Sequence, residues 1–163
     1  MLKHSLALIA VSLTLTAPSL AQNADHIAKA KKGESCRDCN LFQIDLTYSD
    51  ISKVSFSKSR LRQSNLALGT FDEVDLSGAD LSVSNLFGAR FNRSKMVGAD
   101  LRKAVSVGTY FGATDMSNAN LAGANFAGAD LSLVTGLTQA QLNTACGDAS
   151  THLPKGLKIP RCH

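Results

Sequence analysis

The chain has 163 residues, 44% of them hydrophobic, which is the length of one domain with enough apolar content to bury a core, so a disordered chain is excluded. Its 17 basic and 13 acidic side chains leave a net charge of +4, too small a surplus to argue for a nucleic-acid partner.

The first 21 residues, MLKHSLALIAVSLTLTAPSLA, place Lys3 near the start, an apolar run from Leu6 to Ala17, and Ser19 and Ala21 at the small-residue positions of a cleavage site. They predict a secretory signal cut after Ala21 and a periplasmic or secreted product. The run is shorter than the about 20 apolar residues that span a bilayer, which speaks against a retained anchor. No later segment reads as transmembrane, so no stable membrane insertion is expected once the leader is gone. Its removal takes Lys3 away and leaves 16 basic against 13 acidic side chains. Cys36, Cys39, Cys146 and Cys162 all remain, an even number in a compartment where disulfides persist.

Residues 22–35 form an N-terminal flank, and a period of five then takes over. Stepping by five from Leu41 to Leu131 visits 19 positions, of which 18 hold Leu, Phe, Ile or Met; only Ser106 departs. Two residues before each of these core positions the side chain is small, Ile44 excepted, and the residue just before is Asp or Asn in 12 of the 19 units. Five residues advance about 140° round an α-helix and reverse the face of a strand, so neither regular element uses this spacing. It is the mark of a repeat array.

The stretches GADLSVSNLFGARF and NANLAGANFAGADL resemble the pentapeptide-repeat family, whose units read Ala, Asp or Asn, Leu, then two free positions. The resemblance implies an all-β fold, a right-handed quadrilateral β-helix over residues 36–133, with one pentapeptide per side and about twenty residues per coil. Such a chain can point the large residue and the small one inward and the others outward. Asp and Asn before the core position have short polar side chains able to bond local backbone in a turn. Coils stacked about 4.8 Å apart would give a rod of roughly 23 Å.

Taking every twentieth residue sorts the interior into columns. One is Leu41, Leu61, Leu81, Leu101 and Leu121; another is Ile51, Phe71, Phe91, Phe111 and Leu131. The column Leu46, Leu66, Leu86, Ser106 and Phe126 contains the one defect. Between Val105 and Val107, Ser106 predicts a local irregularity over residues 104–109, either a bonded buried hydroxyl or a bulge that turns a Val inward.

The open ends of a stack need caps. In GESCRDCNL, Cys36 holds a core position and Cys39 a small one, which leads us to expect a Cys36–Cys39 disulfide or a nearby cap bond. Residues 134–163 form a C-terminal helix and tail. Thr138 with Gln141 makes a capping box, Gly147 is the expected stop, and a Cys146–Cys162 disulfide closes the tail, worth about 3 kcal/mol by loop entropy. The tail THLPKGLKIPRCH resembles the closing segment of many bacterial pentapeptide arrays.

No catalytic, metal or cofactor set emerges. After the leader the only His are His26, His152 and His163, all in the flanks, so acid–base or triad chemistry lacks its residues and no enzyme is expected. A zinc site would need cysteines from opposite ends of the rod. A thiol–disulfide redox protein using Cys36 and Cys39 is the alternative from another class, although a redox CxxC opens a helix beside a βαβ unit rather than a β-coil. Haem attachment would need His at position 40, which is Asn.

Function should then lie on outward positions, as a protein-interaction or structural scaffold with an unknown partner. Tyr48, Leu68, Phe87, Val105 and Val107 make an apolar cluster where the repeat does not require one. Two readings stay open: a contact site, or a patch covered by the C-terminal helix. The basic residues Lys53, Lys58, Arg60, Arg62, Arg90, Arg93, Lys95, Arg102 and Lys103 fall on three sides, which fits a solvated surface better than a phosphate track. Some members of the resembling family are acidic cytoplasmic DNA mimics that bind gyrase; the leader, the basic balance and the Cys-bearing tail argue against that role here.

Overall fold

The computed structural model describes residues 22–163, so the leader assigned to residues 1–21 lies outside it. From Asn40 to Thr135 the residue before each core position forms a parallel bridge with its counterpart 20 residues on, as in Asn40↔Arg60, Arg60↔Asp80 and Asp80↔Asp100. The coil is therefore twenty residues and four-sided, the quadrilateral β-helix that the repeat implied.

We name the sides in chain order. The first carries Leu41, Leu61, Leu81, Leu101 and Leu121; the second Leu46, Leu66, Leu86, Ser106 and Phe126; the third Ile51, Phe71, Phe91, Phe111 and Leu131; the fourth Phe56, Leu76, Met96 and Met116. All of these side chains are buried. On the third side the rings stack coil on coil, Phe71 on Phe91 at 5.2 Å and Phe91 on Phe111 at 5.6 Å.

Each corner is a tight turn, and its geometry explains the period. Every fifth residue from Asp38 to Gly128 has positive φ, between +52° and +71°. A positive φ at the third turn position, with a bond across the turn such as Ile44 N–H to the Leu41 carbonyl at 3.0 Å, is the type II arrangement. Six of these positions are Gly, while Tyr48, Leu68 and Val83 adopt the same φ at the steric cost a Cβ imposes. The Asp and Asn side chains brace the turns: Asp45 accepts from the Thr47 N–H at 3.0 Å, Asp115 from Ser117 at 2.9 Å and Asn125 from Ala127 at 2.9 Å.

The small positions do more than save space. At five of them the buried hydroxyl donates to the carbonyl of a core residue one coil back, Ser59 to Cys36 at 2.7 Å, Ser64 to Leu41 at 3.1 Å, Ser94 to Phe71 at 2.7 Å, Thr109 to Leu86 at 2.6 Å and Thr114 to Phe91, whereas Ser84 donates to Leu81 within its own coil. The five add stitches between coils that Ala positions lack.

At Ser106 the structure differs from the sequence-based expectation. No irregularity interrupts residues 104–109. The Val105 N–H reaches the Ser84 carbonyl at 2.9 Å, Ser106 reaches Asn125 at 2.8 Å and Gly108 reaches Ala127 at 2.9 Å. Ser106 is fully buried, and its hydroxyl is without a hydrogen-bond partner. One unpaired hydroxyl costs about 1–3 kcal/mol, whereas a bulge would forfeit several ladder bonds at about 0.5–1.5 kcal/mol each and lift the column out of register. The regular coil is the less costly outcome. Phe126, the bulkiest residue of this column, stands one coil on and meets Phe111 edge-on at 6.0 Å.

Both ends are capped. Helix α1, Ala24–Lys31, occupies what the sequence reads as a plain N-terminal flank, and its signals are present: Asn23 caps it by accepting from the His26 N–H at 3.1 Å, Asp25 lies in the first turn, and Lys29 and Lys31 in the last. It buries Ala30 against the first coil, and His26 Nδ1 accepts from the Asn40 N–H at 3.0 Å, satisfying one edge donor. At the other end, helix α2, Gln139–Leu142, has the expected capping box but stops at Asn143 rather than at Gly147. The reason is that the chain rejoins the ladder: Cys146 bridges Asn125, and Gly147 bridges Arg161. Gln141 Nε2 donates to the Met116 and Ala119 carbonyls at 3.0 and 2.9 Å, so α2 covers the end of the stack.

Candidate interaction surface

With the interior committed to packing, chemistry is confined to the outward positions, and the four sides differ there. The second side presents Tyr48 (75% exposed), Phe87 (48%), Leu68 (44%) and Val105 (42%), with Val107 half-buried beside them. All five share one side because their positions differ from its core residues by one or two. α2 and the tail do not lie over this patch; they sit on the end of the rod. Asp45 is the one charged residue among the outward positions of this side's repeats, the rest being Thr, Tyr, Asn, Ala, Leu, Phe, Val and Gly.

The remaining sides carry the charge. On the third, Arg90 pairs with Asp72 at 2.8 Å and Arg93 with Glu73 at 2.7 Å, each across neighbouring coils. On the first, Arg102 grips Asp100, its Nε 2.9 Å from both carboxylate oxygens, and this holds the Asp100 carboxyl below its usual range. Arg60 stands over the Phe42 ring at 4.4 Å. Arg62, Arg102 and Lys103 line a shallow cleft of about 250 Å³ with Ser82, Val83 and Ala122. The nine basic residues singled out in the sequence divide among three sides: Arg60, Arg62, Arg102 and Lys103 on the first, Lys53, Arg90 and Arg93 on the third, Lys58 and Lys95 on the fourth. They form no continuous track.

Cys36 is joined to Cys39 and Cys146 to Cys162, so no thiol is left to ligate a metal or act as a nucleophile in this state. Cys36 and Cys39 are 4% and 6% exposed. Among the described residues, no group of three or more His, Cys, Asp and Glu could hold a metal ion, and no helix is long and apolar enough to cross a membrane.

Comparison with known proteins fits this architecture. The family model for pentapeptide repeats matches eight copies over residues 39–78, 70–103 and 107–135, more than half of the chain. No curated protein sequence matches. Among solved structures, two trypsin-treated variants of QnrB1, a plasmid-mediated fluoroquinolone resistance protein, superpose with TM-scores of 0.55 and 0.53 at 18% and 19% identity. Each alignment covers 78% of this chain, and 80% and 78% of the respective QnrB1 chains. Identities this low establish a shared fold and leave the partner open. On the eight matched repeats and the four-sided coil, the chain belongs to the pentapeptide repeat family.

Proposed function

We propose that this chain is exported and acts, without catalysing a reaction, as a protein-interaction module that uses the second side of its β-helix as the contact surface. The observation that carries the reading is the exposed apolar cluster on a side whose repeats bear one charge. A repeat needs no outward apolar residue, so Tyr48, Leu68, Phe87, Val105 and Val107 have to be explained by something outside the coil. Export is supported by the leader-like residues 1–21 and by four cysteines that are all paired, an arrangement suited to an oxidising compartment.

Two other roles are less well supported. A thiol–disulfide enzyme must let a thiolate reach its disulfide, and Cys36 and Cys39 are buried in the first coil. A fluoroquinolone-protection role, taken over from QnrB1, would rest on fold likeness alone, against a leader and a basic balance.

The test is a crosslinking pull-down from the native envelope, comparing wild type with a folded Phe87→Asp, Val107→Asp double variant. Capture by wild type and its loss in the variant is the expected result. Equal capture by both would remove the second side from the account, and recovery of the protein only in the cytoplasm would remove export.

A further inference from the structure

The second side carries the exposed apolar cluster. It is also taller than the repeats alone, because the tail extends it. Asp45, Asn65, Asn85, Val105, Asn125 and Cys146 stack as six layers, and Arg161 on Gly147 makes a seventh, a strip roughly 29 Å high at about 4.8 Å per layer. Bulk and hollow are segregated along it. Tyr48, Leu68 and Phe87 project from layers one to three and Val105 and Val107 from layer four, while Gly108, Ala127 and Gly128 leave the rest of layers four and five low. A Cβ at Gly108 would meet nothing within 4 Å, and at Gly128 only the Gly108 nitrogen at 3.9 Å, so both stand in open space and that part of the strip is low because it lacks side chains. Charges of opposite sign mark the two ends, Asp45 in layer one and Arg161 in layer seven. Asp148, beside layer six, is occupied locally, accepting from the Gly128 and Ser150 N–H groups at 2.9 Å each.

We propose that the occupant of the second side is the second side of another copy of this chain, set antiparallel about a two-fold axis at the level of Val107; this rests on the reading of that side as an interface. The axis brings Phe87 over the partner's Ala127 and Gly128, Val107 against the partner's Val107, and Asp45 against the partner's Arg161. A parallel pairing would set bulk on bulk and Asp45 on Asp45; the antiparallel one relieves both and sets Leu68 beside the partner's Asp148, whose carboxylate is held by its own N–H contacts. The resulting contact is isologous and closes on itself, which ends the association at a dimer. The strip is narrow and falls short of the about 800 Å² per partner of a standard interface, so the dimer forms reversibly and its fraction rises with concentration.

The test begins with sedimentation equilibrium of the purified chain over a wide concentration range. Gly108→Lys fills the hollow at a position the fold tolerates, since Lys53, Lys58 and Lys103 already occupy its equivalents at positive φ. It should weaken dimerisation about tenfold or more by burying an unpaired charge. Gly98→Lys, whose Cβ would also meet nothing within 4 Å but which lies on the fourth side, should leave it unchanged. Asp45→Arg should weaken it about two- to fivefold, the size of a rim ion pair, and adding Arg161→Asp should restore it. Monomer at every concentration, equal loss in Gly98→Lys and Gly108→Lys, or no restoration by the second charge reversal would overturn the antiparallel pair. A photo-crosslinking residue in place of Val107, used in the native envelope, separates this proposal from the one beneath it. A crosslink to a second copy supports both. A crosslink solely to a different protein overturns the self-pairing and leaves the interface standing, and no crosslink overturns both.

Discussion

The second and third sides of this β-helix are built on one backbone plan, with the same twenty-residue ladder, the same positive-φ corners and a buried column behind each, yet they face solvent in opposite ways. The third has the best-ordered interior, a run of stacked Phe rings, and an exterior whose charges are answered from coil to coil by Arg90–Asp72 and Arg93–Glu73. The second has the defective interior, with an unpaired Ser106 hydroxyl, and an exterior that leaves apolar groups unanswered. The coil therefore dictates what points inward and leaves the outward residues free, so function is sought where the outward composition departs from what a solvated coil needs.

The largest expected contrast lies within one coil, between two phenylalanines four residues apart. Phe91→Ala removes the middle ring of the third-side stack and should cost about 3–5 kcal/mol in denaturant unfolding. Phe87→Ala, pointing outward on the second side, should change stability by less than about 0.5 kcal/mol. Similar losses for the two would erase the distinction between interior and exterior on which the account depends.

Ser106→Ala sharpens the contrast from the second side's interior. It removes a buried hydroxyl that bonds to nothing, so stability should rise by about 1 kcal/mol, read as a higher denaturant midpoint at unchanged slope. A loss instead would mean that the hydroxyl is satisfied after all.

Acid should divide the sides as well. Hydrogen bonds from Thr47, Ser117 and Ser132 hold the Asp45, Asp115 and Asp130 carboxyls below their ordinary range. Because the folded pKa is the lower one, this contribution is present above the unfolded value of about 3.9 and is lost as pH falls through the folded values. The melting temperature should hold from neutrality to about pH 5 and decline below about pH 4. Asn65, Asn85 and Asn125 make the same turn bond without ionising, so Asp130→Asn should make the decline shallower. The smallest expected effect is on the third side's surface, where Arg93→Ala should lower the melting temperature only slightly, and less still in high salt, its ion pair being solvent-exposed.

Much of this was legible in the chain. The period of five, the columns headed by Leu41 and Ile51, the Asx-braced turns and the α2 capping box all follow from residue types at fixed spacings. Less legible was whatever depends on the backbone more than on composition. Tyr48, Lys53 and Leu68 do not announce the positive φ they adopt, because the demand comes from closing the corner. Ser106 suggests an irregularity by its polarity, whereas the ladder bonds that a bulge would break are set by the backbone and do not show in the residue type. The segment Asn23 to Lys31 carries a cap and a favourable charge order, but a helix of 8 residues is too short for an apolar period to reveal it. The antiparallel match of the second side was out of reach of the sequence, since it needs the tail's return to the ladder at Cys146 and Arg161.

The most direct test of the central claim is to measure, on one Phe87→Asp, Val107→Asp preparation, both the unfolding midpoint and the association of the chain. The account predicts a midpoint within experimental error of wild type and association lost. A midpoint that falls together with association would return these residues to a structural role, and association that survives would place the interface on another side.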